Sequence, residues 1–343
     1  MLNAVYRLVA PRRFEVEFSN IDLSGGSMIV RPTHLSICNA DQRYYQGKRA
    51  EDVMREKLPM ALLHEGIGQV VFDPEGEFGP GERVVMIPNT PVWPLSDDII
   101  AENYRTDSRF RASGFDGFMQ DIVDIRRDRV VRLPDGVDPC VAAFTEIVTV
   151  SVHAIRRFDA MAHGRREAVG IWGDGNLGYI TAVFFRTMFP SVKLYIFGTN
   201  RDKLSDFTFA DDTFLVTCIP GHIRFDHAFE CVGGEGAPRA INQIIDKISP
   251  EGTISILGVS ENPVAINTRM MLEKGLRMFG SSRSGREDFL RTIELYRSNP
   301  EVLEYLQNII GAVFEVRTIE DMKRAFEMDI HKEFGKTILI WNS

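Results

Sequence analysis

From about residue 148 onward, short apolar runs alternate with longer stretches in which apolar residues recur at helical spacing. Short runs bounded by Gly, Asp or Pro predict buried strands, and stretches such as residues 240–247 predict helices. Strands that alternate with helices favour right-handed βαβ crossovers and a parallel sheet. The pattern therefore predicts an α/β domain with a doubly wound parallel sheet. Its predicted strands span residues 168–172, 193–197, 214–217, 227–231, 253–257 and 277–280.

The first part of the chain shows a different pattern, in which short strand-like runs are separated by turn residues. The clearest runs of this kind lie at residues 27–31, 68–72 and 83–87, and the C-terminal part of the chain contains a further strand-like run at residues 336–341. We predict one strand-rich domain from residues 1–147 with 300–343, and an α/β domain from residues 148–299. Because ligand sites commonly lie at domain interfaces, we expect the active site in the cleft between the two domains.

Charge and composition indicate which classes of binding partner and which cellular compartment to expect. The formal net charge of −8 argues against binding to nucleic acid or to anionic membranes, since both favour a basic surface. No run approaches the ~18 apolar residues of a membrane span, and no apolar secretory segment follows the first basic residues. The four cysteines are widely spaced, which suits a reducing compartment, and Cys140, Cys218 and Cys231 fit buried small apolar positions. We expect a cytoplasmic protein.

A glycine turn follows the first predicted strand of the α/β domain. Gly173, Gly175 and Gly178 have G-x-G-x-x-G spacing, and Asn176 and Leu177 begin an apolar helix. This arrangement suits a tight turn, a close approach of the backbone to a pyrophosphate, and binding of that anion at a helix N-terminus. The alternative is a glycine turn without a ligand, because such turns also occur between strands and helices.

The end of the second predicted strand indicates which nicotinamide cofactor binds. Dinucleotide folds that bind NAD usually place an acid here, whereas Gly198 occupies the position in this chain. Thr199, Arg201 and Lys203 follow it and suit a 2′-phosphate, although Asp202 is a signal to the contrary. We predict NADP(H); the alternative is a surface turn whose basic residues are only solvated.

Further cofactor contacts are expected at the carboxyl ends of later strands, where open parallel sheets bind ligands. These positions are Cys231 and Val232 after the fourth strand, Gly258 after the fifth, and Ser282 with Arg283 after the sixth.

Candidate metal ligands precede the glycine turn. Cys38, the pair His64 and Glu65, and Glu146 supply thiolate, imidazole and carboxylate groups, which are the ligand types of zinc. The alternative is a buried cysteine, a hydrogen-bonded core histidine and solvated carboxylates.

Four motifs in one order connect these candidates. They are Cys38-x-x-Asp41, His64-Glu65-Gly66-x-Gly68, Gly81-Glu-Arg-Val84 and Gly173-x-Gly175-x-x-Gly178. In order and spacing they resemble the zinc-dependent medium-chain dehydrogenases/reductases, which implies a GroES-like, partly open β-barrel catalytic domain beside a Rossmann domain. Residues 38–45, 85–91, 114–120, 171–180 and 280–285 further resemble the bacterial ribulose-5-phosphate reductases (ribitol-5-phosphate 2-dehydrogenases), which supply CDP-ribitol for teichoic acids and capsules.

This resemblance implies roles for the candidate residues. Cys38, His64 and Glu146 would be ligands of one catalytic Zn²⁺, Glu65 a ligand or a group that exchanges with water, and Asp41 the partner that orients His64. Residues 88–116, where many relatives carry four cysteines around a structural zinc, contain no cysteine, so no structural zinc is expected.

Two positions depart from the pattern of alcohol and sorbitol dehydrogenases, in which a Ser or Thr and a His form a proton relay. Here these positions are Ala40 and Arg43, so the proton path must differ, with zinc-bound water beside Glu65 or the substrate phosphate as candidates. A phosphate also needs cationic or N–H groups, and the sequence leaves several sets open. The candidates are Arg43 with Tyr44, Arg111 with Ser113, His153, and Arg283.

The resemblance implies reversible reduction of D-ribulose 5-phosphate to D-ribitol 5-phosphate with NADPH. One alternative is a zinc polyol dehydrogenase that acts on an unphosphorylated sugar alcohol, and another is a dinucleotide-binding protein without catalysis. The resemblance also implies a homodimer, with residues 263–279 as the candidate interface, and a cytidylyltransferase of the same pathway as a possible partner.

Overall fold

The computed structural model describes residues 1–92 and 99–342. The chain forms two compact units, one built from Met1–Ile147 with Ser284–Ser343 and the other from Val148–Arg283. The chain therefore returns to the first unit at Ser284, earlier than the predicted residue 300. The reason is that the segment after Arg283 is bonded to the first unit: Arg286 donates to the carbonyl oxygens of Asp128 (3.1 Å) and Val130 (2.7 Å).

Strands and helices are numbered along the chain. The strands are β1 (Leu2–Ala10), β2 (Arg13–Asn20), β3 (Met28–Ile37), β4 (Met60–Ala61), β5 (Glu65–Phe72), β6 (Arg83–Met86), β7 (Asn89–Thr90), β8 (Arg109–Phe110), β9 (Val123–Ile125), β10 (Val130–Arg132), β11 (Ala168–Trp172), β12 (Lys193–Gly198), β13 (Asp212–Leu215), β14 (Phe225–Glu230), β15 (Ile248–Ile256), β16 (Arg277–Gly280), β17 (Ile310–Val316) and β18 (Lys336–Trp341). The helices are α1 (Asn39–Tyr45), α2 (Glu51–Lys57), α3 (Pro139–Ala142), α4 (Thr145–Met161), α5 (Asn176–Met188), α6 (Arg201–Ser205), α7 (Ala237–Lys247), α8 (Thr268–Lys274), α9 (Arg286–Ser298), α10 (Glu301–Gln307) and α11 (Ile319–His331).

The first unit is built on one mixed sheet and two smaller antiparallel sheets. The largest has the strand order β10-β6-β5-β3-β18-β17, with β9 also paired to β3. Strand β3 is central and antiparallel to both β5 and β18. Its inward residues, including Val30 and Leu35, are fully buried in a core that also contains Leu339. A second sheet has the order β2-β1-β4, and β7 pairs with β8.

The second unit contains a parallel sheet. Within the described residues its order is β13-β12-β11-β14-β15-β16, with every pairing parallel. The first strand, β11, lies in the interior of the sheet, and the chain winds outward from it in both directions. All residues of β11 are buried, as expected for a strand covered by helices on both faces. The predicted doubly wound class is confirmed.

Two expectations need correction. The strand predicted at residues 214–217 is Asp212–Leu215, because Tyr195 of β12 pairs with Asp212 and the ladder starts there. Cys231 is buried as expected, but Cys140 is only partly buried and Cys218 is exposed in the bend that follows β13. A search of the described helices finds none with the length and apolar character needed to span a membrane.

Candidate active site

The pairing of three strands builds the first candidate site. Across β3 and β5, Ser36 is paired with Glu65, and across β3 and β18, Ile37 is paired with Thr337. Cys38 directly follows β3, so the two neighbouring strands place their first residues beside it. Residues distant in sequence therefore meet at one end of these three neighbouring strands.

Cys38, His64 and Glu65 form a group with the geometry of a metal site. One ligand-type atom from each lies within 4.8 Å of the others, and the described residues yield no other such group. His64 and Glu65 are buried and Cys38 is half-buried. Glu146, in the first turn of α4, is not a member of this close group. Burial raises the pKa of Glu146 to about 7, and His64 and Glu65 are near enough to influence it in opposite directions.

Asp41 holds this part of the site in place. It is fully buried on α1, and its carboxylate accepts N–H groups from Leu63 (2.9 Å) and Cys38 (3.3 Å). Its Oδ2 lies 3.4 Å from Nδ1 of His64. Burial lowers the pKa of His64, but Asp41 and Cys38 together outweigh this effect and raise that pKa well above its usual value. The arrangement fixes the ring so that Nδ1 faces the carboxylate.

Lys336 is a component of the site that the sequence did not indicate. Its Nζ lies 2.9 Å from Oε1 and 2.8 Å from Oε2 of Glu65, and both side chains are buried. The contact between Nζ and Oε2 is an ion pair, and the hydrogen bond of Nζ goes to Oε1. A single lysine at the start of an apolar strand is a weak signal, and only the pairing of β18 with β3 assigns it a partner.

The candidate phosphate-binding residues of the first unit differ in their surroundings. Arg43 lies on α1, and both burial and the nearby Arg49 lower its pKa. The Arg49 guanidinium carbon lies 5.0 Å from the ring centroid of the buried Tyr44. Arg111 donates to the carbonyl oxygens of Asp116 and Asp124, and burial lowers its pKa. Ser113 is partly buried in the same segment.

In the second unit, the glycine turn follows β11 as predicted. Gly173 has a φ of +126°, and a Cβ on Gly178 would lie 2.0 Å from the carbonyl oxygen of Gly173. A side chain at Gly178 would therefore push the helix off the strand. A Cβ on Gly175 would meet no described atom within 4 Å, so that side of the turn is open. Asn176 and Leu177 form the first turn of α5.

The loop after β12 is tied to the glycine turn. Oδ2 of Asp174 accepts the N–H groups of Thr199 (2.6 Å) and Asn200 (2.8 Å). Thr199 and Arg201 are exposed and Lys203 is partly buried. Asp174 lies within the motif, but the sequence pattern assigned it no role.

The ends of β14 and β15 are connected by a buried carboxylate. Glu230 accepts N–H groups from Val232 (2.9 Å), Gly233 (2.8 Å) and Gly258 (3.2 Å), and burial raises its pKa. Cys231 next to it is buried, and its N–H donates to the carbonyl oxygen of Trp172 (2.8 Å).

The remaining candidate cofactor- and phosphate-binding residues of this unit lie on different elements. Ser282 and Arg283 are exposed after β16, and Arg283 has a positive φ of +57°. His153 is buried on α4.

Two domain families match the chain. Residues 24–135 match the alcohol dehydrogenase GroES-like domain, and residues 208–298 match the zinc-binding dehydrogenase domain. Over 341 residues, the chain is 54% identical to ribulose-5-phosphate reductase 1 of Staphylococcus aureus, with 99% of each chain covered. The chain belongs to the zinc-binding dehydrogenase family.

Other members of the family extend the comparison. The chain is 53% identical to the ribulose-5-phosphate reductase of Bacillus spizizenii over 341 residues, with 99% of each chain covered. A crystal structure of S. aureus TarJ in complex with NADPH superposes with a TM-score of 0.89 at 50% sequence identity, and all of both chains is covered. The resemblance that the motifs indicated is confirmed along the whole chain.

Proposed function

We propose that this protein is an oxidoreductase that uses NADPH to reduce D-ribulose 5-phosphate to D-ribitol 5-phosphate. The observation that carries the proposal is the 54% identity to a ribulose-5-phosphate reductase, which extends over 99% of both chains. The group of Cys38, His64 and Glu65 supports it, because a protein that only binds a dinucleotide has no use for such a set of ligands.

The same residues fit one Zn²⁺. We infer that Cys38, His64 and Glu146 are its ligands and that Glu65 is a further or exchanging ligand. Asp41 faces Nδ1 of His64 and leaves Nε2 for the metal, whereas the carboxylate of Glu65 already contacts Nζ of Lys336, which suits an exchanging ligand better than a permanent one. The raised pKa values of His64 and Glu146 fit as well, since a bound cation would replace protons at both groups.

The protein's own side chains position the reacting groups. Bound Zn²⁺ supplies polarisation of the substrate ketone, and NADPH supplies the hydride. Asp41 orients His64, and Lys336 holds the carboxylate of Glu65 in place. Ala40 and Arg43 occupy the positions of the usual proton relay, so we infer that the proton reaches the product by way of Glu65, whose Oε1 accepts from Nζ of Lys336.

NADP(H) fits the second unit. The crowded contact between Gly178 and Gly173 and the open side of Gly175 form a cradle in which a pyrophosphate can approach the N–H groups of Asn176 and Leu177. We infer that Thr199, Arg201 and Lys203 face the 2′-phosphate. The loops that contain Cys231, Val232, Gly258 and Ser282 would border the ribose and nicotinamide.

Arg43 is the phosphate-binding candidate of the first unit that we favour. Its guanidinium lies near Cys38 and near a second arginine, Arg49, and two adjacent cations suit a dianion. Arg111 already donates to two carbonyl oxygens, which suits a structural role better. Tyr44, Ser113, His153 and Arg283 stay candidates of lower rank.

We further propose a homodimer formed through the side of β16 that pairs with no other strand among residues 1–92 and 99–342. This strand is at the end of the parallel sheet, and Leu272 on the neighbouring α8 is 83% exposed. Unpaired edge strands and exposed apolar side chains favour association. A cytoplasmic location and a cytidylyltransferase partner that consumes the product complete the proposal.

Initial rates test the central proposal. We expect turnover of ribulose 5-phosphate with NADPH, at least tenfold slower turnover of ribulose without the phosphate, and loss of activity after zinc is removed by chelation, with recovery when Zn²⁺ is added back. Equal rates with both sugars would point to a polyol dehydrogenase. Unchanged turnover in protein shown by elemental analysis to lack zinc would rule out the metal role.

A further inference from the structure

Asp174 connects the glycine turn to the loop that follows β12. It lies between Gly173 and Gly175, and its Oδ2 accepts N–H groups from Thr199 (2.6 Å) and Asn200 (2.8 Å). The Thr199 hydroxyl donates to the same oxygen at 3.3 Å. One carboxylate oxygen is therefore surrounded by three donors from the second loop.

The side chain of Asp174 also fills the space beside Gly198. A Cβ at Gly198 would lie 2.6 Å from Oδ2, 2.7 Å from Cβ and 2.9 Å from Cγ of Asp174. Any side chain at residue 198 would project into the volume that this carboxylate occupies. The last residue of the second strand is the place from which dinucleotide-binding folds present an acid to the ribose 2′-OH. In this chain a carboxylate still stands in that volume, but it comes from the glycine turn.

This position has opposite effects on the two nicotinamide cofactors. A carboxylate suits a ribose hydroxyl as a hydrogen-bond acceptor but repels a 2′-phosphate. It also occupies the N–H groups of Thr199 and Asn200, which a phosphate would otherwise use as donors. Arg201 and Lys203 act in the other direction because their positive charge favours the phosphate.

We propose that Asp174 is a specificity-determining residue that limits the preference for NADPH and preserves binding of NADH. The proposal rests on the proposed function, since it assumes that this unit binds nicotinamide dinucleotides. It goes beyond that function by assigning cofactor discrimination to two opposed elements: the carboxylate within the glycine motif, and the basic residues of α6, Arg201 and Lys203.

Calorimetric titration of the zinc-loaded protein with NADPH and with NADH, without sugar, tests the proposal. Asp174→Asn keeps the size of the side chain and one acceptor oxygen but removes the charge. We expect its NADPH dissociation constant to fall about tenfold relative to wild type, while that of NADH stays equal or rises. Asp212→Asn is the matched control, since it removes the same charge from an exposed residue at the start of β13, away from the carboxyl ends of the strands, and should change the ratio of the two constants less than twofold.

The outcomes separate the possible explanations. If Asp174→Asn weakens both cofactors equally, Asp174 only braces the loop and the proposal is wrong. Asp174→Ser, which is smaller and also uncharged, repeats the test if the first variant folds poorly in a thermal unfolding control. An unchanged ratio in both variants of a protein that still reduces ribulose 5-phosphate overturns this inference alone. Failure of wild-type protein to bind either dinucleotide would overturn the proposed function as well.

Discussion

Lys336 and Glu65 form a buried ion pair, with Nζ 2.9 Å from Oε1 and 2.8 Å from Oε2. Burial lowers the pKa of Lys336, but Glu65, with smaller effects from Cys38 and Asp329, outweighs burial and raises that pKa. A second lysine, Lys332, bonds to Asp329, which in turn accepts from Gln42 on α1 (2.8 Å). The helix that follows Cys38 and the strand that carries Lys336 are thereby held around the candidate metal site.

In the zinc-free protein, replacement of Lys336 by Met should destabilise the first unit by about 3 kcal/mol or more, because the Glu65 charge would remain buried without a partner. Urea denaturation measures this change, and the zinc content of the variant before zinc removal should also fall. Lys323→Met is the matched control: Lys323 forms a surface pair with Glu320 at 3.6 Å, so its loss should cost less than about 1 kcal/mol. Equal stability of the two variants would contradict a structural role for the buried pair.

Replacement of Asp41 by Asn should weaken zinc binding by about 10- to 100-fold, because the amide cannot orient and polarise the His64 ring as a carboxylate does. Asn keeps one oxygen for the N–H of Leu63, so the fold should be retained. Competition with a zinc-sensitive chelating dye measures the affinity. Asp321→Asn, in the cap of α11, serves as a control that should leave zinc affinity unchanged.

Gly178 and Gly175 should respond differently to alanine. Gly178→Ala places a Cβ 2.0 Å from the carbonyl oxygen of Gly173, and we expect a loss of about 3 kcal/mol of stability. At Gly175 there is room, so Gly175→Ala should cost less than about 1 kcal/mol but weaken NADPH binding, because the methyl group would stand where the pyrophosphate approaches. Thermal unfolding and cofactor titration distinguish the two effects. Normal NADPH affinity in folded Gly175→Ala would place the pyrophosphate elsewhere.

His227 should make stability depend on pH. Burial, with the nearby His163, lowers the pKa of His227 to about 4 from an ordinary value of 6.5. Its Nδ1 accepts the N–H of Thr253 (3.1 Å), so protonation of that atom would break a buried hydrogen bond. Between these two pKa values the unfolded chain binds the extra proton, and stability therefore falls as pH decreases from about 6.5 towards 4, by about 3 kcal/mol in total.

Denaturation midpoints at several pH values check this dependence. His227→Asn retains an acceptor for Thr253 but does not titrate, so its stability should fall less over the same range. A wild-type profile that is flat between pH 6.5 and 4 would show that His227 is not held in its neutral form.

Local sequence patterns predicted a large part of the secondary structure. Short apolar runs bounded by turn residues are sufficient to predict the strand at Ala168–Trp172, the glycine turn and the final strand at Lys336–Trp341. The order of the four motifs was also sufficient to indicate the family. The strands and the turn depend on interactions between residues close in sequence, so that periodicity and turn residues suffice to predict them, whereas the family was indicated by resemblance.

What only the tertiary structure decided depends on contacts between distant residues. Lys336 meets Glu65 because β3 lies between β5 and β18 in one register, and no periodicity in either segment indicates that pairing. The return of the chain at Ser284 depends on Arg286 reaching carbonyl oxygens of Asp128 and Val130. In the same way, Gly198 alone indicated the absence of an acid, whereas the folded chain places the carboxylate of Asp174 in the vacated space. A residue type predicts a chemistry, but strand register and loop packing determine where its atoms lie.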